Sequence, residues 1–366
     1  MARKLKSDRV LFIATILLVG LGVVMVYSAS AVVMMERFQR PYLFFTKQAM
    51  WAALGVVVLL VVMRIDYHHY KHPLIVWTAL GCVVLALVAV LFSPPVNNAR
   101  RWFALGGLGI QPSELAKLAV IFFIADTLER RMHRINEFNY SLLPIVVVVS
   151  GIVGLILLEP DFGTSMSLLL IAGVMVFAAG LNYRYIATAF LTALPALAFL
   201  VMGTAYRRQR VLTFLDPWRD PRGAGFQIIQ SLYAVGTGGV LGKGLMNGVQ
   251  KLFYLPEPHT DFIYSVISEE FGLIGATAVV ICFAVIAWRG LRVVMRAPDS
   301  FGAFLALGLT TMMAVQAFFN ISVALGMLPT KGIPLPFLSF GGSSLLINLL
   351  GMGILLNVSQ QSSSAA

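Results

Sequence analysis

Residues 251–275 read KLFYLPEPHTDFIYSVISEEFGLIG, and this stretch decides the fold. A Pro-bearing polar segment gives way at Phe262 to an apolar run, so the chain re-enters an apolar medium after a long polar excursion over residues 204–260. Five ionisable groups, Glu257, His259, Asp261, Glu269 and Glu270, gather here in a chain only 12% charged. A carboxylate at the edge of a bilayer is costly and is usually kept for ion, proton or substrate chemistry. Asp261 stands just before the apolar run resumes, where a base acting on a lipid-linked molecule would be placed.

Reading outward, hydrophobic residues make up 59% of the 366. Mean hydropathy is +0.86, and apolar runs near membrane length recur along the whole chain. The runs do not alternate in the manner of barrel strands, so the expected class is all-α, a polytopic integral membrane protein. The net charge of +11 reads as topology rather than nucleic-acid binding, because the cations sit between the apolar runs. Cys82 and Cys282 both lie inside apolar runs and suggest neither a disulfide framework nor a zinc site. Val10 to Met34 is too long for the core of a signal peptide and reads as a retained first span.

Ten spans are expected, at 10–34, 49–63, 74–92, 112–128, 141–158, 163–181, 184–203, 262–288, 301–326 and 337–358. The second and fourth look short, and Pro144 and Pro195 are candidate kinks. An even count puts both termini on one side. With that side cytoplasmic, thirteen basic residues fall inside and six outside, from Arg37, Arg40, Lys47, Arg100, Arg101 and Lys331. The 204–260 segment, expected as a large extracytoplasmic loop between spans 7 and 8, adds seven more cations against the bias. Either those cations serve a ligand or a long loop crosses regardless of charge.

Several motifs carry candidate chemistry. Residues 206–244 combine Arg and Lys with Gly223, Gly225, Gly238, Gly239, Gly242 and Gly244. Such backbone can hold a diphosphate through amide groups, or be an ordinary interfacial loop. No P-loop spacing is present. Glu114 and Lys117 share a helix face in the fourth span, with Ser113 as a candidate cap, and would pair inside the membrane. The pair is either structural or shapes a polar cavity. Glu159-Pro160-Asp161-Phe162-Gly163-Thr164 is a two-carboxylate turn in which Asp161 can cap the next helix. In Leu328–Ser344, Lys331, Ser339, Ser343 and Ser344 are candidates to face a polar cavity. Of five histidines, only His259 stands beside a candidate catalytic group, and no metal-ligand spacing occurs.

These residues, with Tyr27-Ser28-Ala29-Ser30, Asn97-Asn98-Ala99-Arg100-Arg101-Trp102, Gln111-Pro112-Ser113-Glu114, Gln227–Ser231, Leu255–Ile263 and Gly332–Ser344, resemble the SEDS family (shape, elongation, division and sporulation) over nearly the whole chain. Asn98 replaces the family's usual glycine. Pro329-Thr330-Lys331-Gly332 is similar to division-type (FtsW) rather than elongation-type (RodA) members. The resemblance implies one membrane domain over 1–366 in the bacterial cytoplasmic membrane, at the division septum. It implies a peptidoglycan glycosyltransferase that polymerises lipid II into β-1,4-linked strands, with a class B penicillin-binding transpeptidase and other division proteins as partners.

The chemistry expected is attack of an acceptor 4-hydroxyl on the anomeric carbon of a diphosphate-linked donor. Asp261 is the candidate base, already ionised if its pKa is the ordinary value near 4. Arg101, Arg210, Lys243 and Lys251 are candidates for the leaving diphosphate, with His259 and Ser343 as further substrate contacts. No cofactor is read; a divalent cation (Mg or Mn) is the open alternative source of charge. Two other classes remain open at this point. A lipid flippase would need groups reachable from both faces and usually shows inverted repeats, which the two halves lack. A non-catalytic scaffold would have no need of a carboxylate at the bilayer edge.

Overall fold

The computed structural model describes residues 7–94, 100–105, 108–185, 187–188, 191–192, 195, 203, 205–223, 225–330 and 332–362. Eleven α-helices occur among them: α1 (Arg9–Phe38), α2 (Leu43–Val62), α3 (Pro73–Val90), α4 (Pro112–Arg131), α5 (Leu143–Leu158), α6 (Phe162–Ala178), α7 (Ala205–Leu215), α8 (Phe226–Thr237), α9 (Ile263–Arg296), α10 (Ser300–Ala324) and α11 (Gly342–Ser362). A small antiparallel pair, β1 (Phe103–Leu105) with β2 (Leu108–Ile110), is the strand content of the described residues. Among the described residues, seven helical segments are long and apolar enough to cross a membrane. Nine of the ten expected spans coincide with described helices; the seventh, 184–203, lies largely outside the described residues, as does Lys331.

Local chemistry sets the helix ends. Asp8 caps α1 by accepting from Leu11 N at 3.1 Å, Asp161 caps α6 through Thr164 N at 3.1 Å, and Asp299 caps α10 through Gly302 N at 2.7 Å. The α4 helix starts on Pro112, carries Glu114 in its first turn and Arg130 and Arg131 in its last, matching the helix dipole. Ser113 is not its cap. That position belongs to Gln111, whose amide donates to the Ser113 hydroxyl at 2.9 Å. Pro144 begins α5, after one π-turn over Phe138–Leu142, rather than kinking a span. The second and fourth spans are not short, since α2 and α4 have 20 residues each.

Packing places α10 and α11 at the centre, with most of their residues buried. Most other helices expose large apolar side chains, such as Leu17, Leu74, Val147 and Phe177, as expected where lipid replaces water. The irregular segment 333–341 is sunk into the bundle, with Ile333, Leu335, Phe337 and Leu338 buried. Gly22 of α1 makes this close approach feasible: a Cβ there would sit 2.3 Å from Phe337 O.

Cross-links give a ruler along the helices. At one face Asp8 N donates to Ser359 Oγ at 3.2 Å, and Arg289 pairs with Asp8 at 2.6 Å, so the described chain begins and ends on the same face. Twenty residues further along α1, about 30 Å of helical rise and one hydrocarbon thickness, Ser28 donates to Glu270 at 2.7 Å. Asn320 lies a similar distance along α10 from Asp299, about 31 Å by rise. Ser28, Glu270 and Asn320 therefore share the opposite rim.

Candidate active site at the rim of the helix bundle

At that rim α9 is broken. Gly272 adopts φ 64°, ψ −161°, which a side chain would not tolerate and which interrupts the helical ladder. In a continuous helix, Leu273 and Ile274 would donate to Glu269 and Glu270. Here Leu273 N donates to Gly239 O at 2.9 Å and Ile274 N to Val240 O at 3.3 Å. The freed carbonyls of Glu269 and Glu270 accept from Lys243 N at 3.0 Å and Gly244 N at 2.9 Å. Loop 239–244 thus replaces the bonds the break removes, the condition for irregular backbone beside lipid. Its glycines serve this docking: a Cβ on Gly242 would sit 2.2 Å from Glu270 O.

This docking uses two of the expected diphosphate ligands. Lys243 pairs with Glu269 at 2.7 Å, and Lys251, 3% exposed, pairs with Glu270 at 2.5 Å while donating to Ser28 at 2.8 Å. Glu269 also accepts from Val249 N and Gln250 N, and Glu270 from Met246 N. The sequence pattern of glycines beside lysines is accounted for by this buried network. Each ammonium is paired with a carboxylate in this network, and no hydrogen bond or ion pair among the described residues joins Lys243 or Lys251 to Asp261.

The groups gathered round Asp261 come from other elements. Asp261 ends the polar segment two residues before α9 and is half-buried. Burial raises its carboxyl to about 7, reinforced by the charges of Glu257 and Asp161 and opposed by those of Arg210 and Arg101. The ordinary ionised carboxylate expected from sequence is therefore replaced by one poised between its two forms. A Cβ at Gly332 would lie 3.2 Å from Asp261 Oδ2, so the glycine keeps space open on that side. Arg210, on α7, donates to Thr330 O at 3.0 Å. Arg101 grips the α5–α6 turn through Glu159 O at 2.9 Å and Pro160 O at 2.6 Å.

The remaining predicted residues surround this centre in supporting positions. Asp161 accepts from Thr164 Oγ1 at 2.8 Å and Gln111 Nε2 at 2.9 Å, and Gln111 N donates to Ser343 Oγ at 3.4 Å. Ser343 is buried within this network. Glu159 is wholly buried, and burial, with the nearby Asp161 charge, lifts its carboxyl to about 8 against the pull of Arg101. The His259 ring packs against Phe44, centroids 4.9 Å apart, and Phe340 at 5.7 Å, two rings that stack on each other at 4.4 Å. Burial and then the Arg37 charge lower it to about 4, so it is neutral at neutral pH and supplies no cation. Among the described residues no three His, Cys, Asp or Glu side chains come together as a metal-ligating group. Glu114 and Lys117 pair at 2.8 Å inside the bundle.

Sequence reading missed Asn320 and Gln48, and singled out Ser28 only as part of Tyr27–Ser30 without its place in the Lys251–Glu270 network. Asn320 donates to Asp261 O at 2.9 Å and Ile333 O at 2.8 Å, and Gln48 donates to Ser339 O at 3.3 Å. Asn320 and Gln48 are amides bordering apolar runs, which was the available signal, although Gln48 follows Thr46-Lys47 and Asn320 lies between Gln316 and Ser322.

The many-helix bundle, with seven helical segments among the described residues long and apolar enough to cross a membrane, defines the class: a polytopic integral membrane protein. Residues 8–364 match the family described as cell cycle protein, FtsW/RodA/SpoVE, and the chain belongs to that family. It is 45% identical to the probable peptidoglycan glycosyltransferase FtsW of Geobacter sulfurreducens, over 97% of this chain and 95% of that one. It is 41% identical to the stage V sporulation protein E of Bacillus subtilis, over 98% and 99%. Among solved structures it superposes on a chain of a peptidoglycan synthase complex described as coordinating polymerization and crosslinking. The TM-score there is 0.80 at 32% identity, covering 98% and 99%. For the rod shape determining protein RodA of Thermus thermophilus the TM-score is 0.71 at 28% identity, covering 97% of each chain.

Proposed function

We propose that the protein is a division-type peptidoglycan glycosyltransferase that polymerises lipid II into β-1,4-linked glycan strands. The observation that carries this reading is the place of Asp261 at the rim of the bundle, its carboxyl beside Gly332 and within the charges of Arg101 and Arg210, where burial raises it to about 7. A base with its pKa near the working pH is best matched to taking a proton in a transition state. In the reaction, the acceptor 4-hydroxyl oxygen attacks the donor's anomeric carbon as its proton passes to Asp261. The bond from that carbon to the diphosphate oxygen breaks with inversion, and undecaprenyl diphosphate leaves. Negative charge grows on the diphosphate, and guanidiniums held by backbone carbonyls need little reorganisation to meet it.

Names of relatives at 44–45% identity support the glycosyltransferase and division assignments. The similarity to a chain of a synthase complex supports a class B penicillin-binding transpeptidase as partner, alongside other division proteins. The rim carrying Asp261 would face the outside of the bacterial cytoplasmic membrane at the septum, and the Asp8–Ser359 face the cytoplasm. Labelled lipid II supplied to the purified protein in liposomes tests this. Glycan ladders that vanish with Asp261→Asn are expected; translocation of lipid II without polymer would overturn the reading in favour of a flippase.

A further inference from the structure

Two side chains tie the Asp261 segment to the irregular segment that precedes α11. Asn320, near the end of α10, is 2% exposed and uses one amide group twice, towards Asp261 O and Ile333 O. Both bonds need a donor, which fixes the amide orientation and leaves its Oδ1 without a partner among the described residues. Ser339, 4% exposed, donates to Thr260 O at 2.6 Å and accepts from Leu335 N at 2.8 Å. Phe340 N donates to His259 O at 2.8 Å. Three consecutive carbonyls, those of His259, Thr260 and Asp261, are thus each held by a donor from elsewhere in the chain.

We propose that Asn320 and Ser339 are positioning residues that hold the Asp261 carboxyl in its half-buried place beside Gly332, Arg101 and Arg210. This rests on Asp261 being the base. Asp261 lies in an irregular turn, where backbone dihedrals are not fixed by a helical ladder. Without the Asn320 clamp the turn is free to swing its carboxyl towards water. A displacement of about 1 Å at a reacting group can cost on the order of a hundredfold in rate. The groups that set the charge field at this carboxyl are Glu257 on the same segment, Arg210 on α7, Arg101 ahead of β1 and Asp161 at the start of α6. None of them is bonded to Asn320, so a change there acts through position and hydration.

The test compares Asn320→Leu, Ser339→Ala and Ser231→Ala in the full-length protein with lipid II. Ser231 is a control: its hydroxyl makes an equally buried bond to Ala324 O at 2.6 Å, from α8 to the end of α10. Expected for Asn320→Leu is a kcat lowered by about tenfold or more with KM nearly unchanged. The rising limb of the pH–rate profile, near 7 in the wild type, moves to lower pH as the released carboxyl hydrates. Ser339→Ala moves both readouts in the same direction by less, and carries the test if Asn320→Leu does not fold. Ser231→Ala lowers activity only in proportion to lost folded protein and leaves the limb in place. A folded Asn320→Leu, or Ser339→Ala in its stead, with wild-type kcat and limb beside an inactive Asp261→Asn overturns the positioning role alone. A fully active Asp261→Asn instead overturns the base assignment on which it rests.

Discussion

Lys117 Nζ lies 2.8 Å from Glu114 Oε2, one turn earlier on α4, and each side chain is 3% exposed. An unpaired charge at this depth would be far costlier than the pair. Glu114→Gln or Lys117→Met alone is expected to destabilise by about 3–5 kcal/mol, and the double variant by much less. Melting in detergent measures this, with polymerisation assayed on the same samples. A double variant that regains its melting temperature but not its activity makes the pair part of the cavity. Losses that simply add would mean the two side chains do not interact.

The raised Asp261 carboxyl has opposite consequences for rate and stability. A base must be deprotonated to act, so activity climbs as pH passes through about 7. For folding, a carboxyl whose folded pKa exceeds its ordinary value near 4 contributes stability below that value and loses it as pH rises to about 7. Asp261→Asn cannot ionise. It should therefore melt above the wild type at pH 8 and closer to it at pH 5, while inactive at both. A pH–rate limb in the ordinary carboxylate range would remove the desolvated carboxyl from the mechanism.

Much of this was legible in the sequence, and the gaps have a physical pattern. Apolar runs located the helices because their period and length are local properties. Asp261 and the Glu114–Lys117 pair stood out because charge is rare in such runs. The break at Gly272 did not, because a glycine among apolar residues leaves no local mark and the bonds that replace the helical ladder come from residues 239–244. The same non-local pairing gives the glycines a docking role, where the sequence pattern had left an anion cradle and an ordinary interfacial loop both open. Asn320 was hidden because its partners lie 59 and 13 residues away, and no local pattern encodes such a clamp.

Arg210 and Lys243 separate the two clusters experimentally. Arg210 lies within the field of Asp261, whereas Lys243 neutralises Glu269. Arg210→Ala is expected to raise the KM for lipid II or lower kcat by about tenfold, with melting little changed, because a charge meeting the diphosphate is lost. Lys243→Ala should chiefly lower the melting temperature, since the wholly buried Glu269 carboxylate loses its counter-ion. The reverse outcome would return Lys243 to the substrate site.

Three glycines of one segment test the docked loop itself. A Cβ added at Gly236, in α8, would meet nothing within 4 Å, so Gly236→Ala should be neutral or stabilising by up to about 1 kcal/mol. Gly239 is as open but has φ 56°, so Gly239→Ala carries only the left-handed penalty of about 1–2 kcal/mol. Gly242 combines φ 81° with a Cβ that would meet Glu270 O at 2.2 Å. There the loop must lift from the break, and the lost backbone bonds add to the strain. Gly242→Ala should therefore cost about 3 kcal/mol or more, well beyond either neighbour. Melting of the three variants gives the order directly. If residues 238–244 were an anion cradle instead, Gly242→Ala would leave melting near the wild type and raise the KM for lipid II. That result would detach the loop from the broken helix and overturn its assigned role.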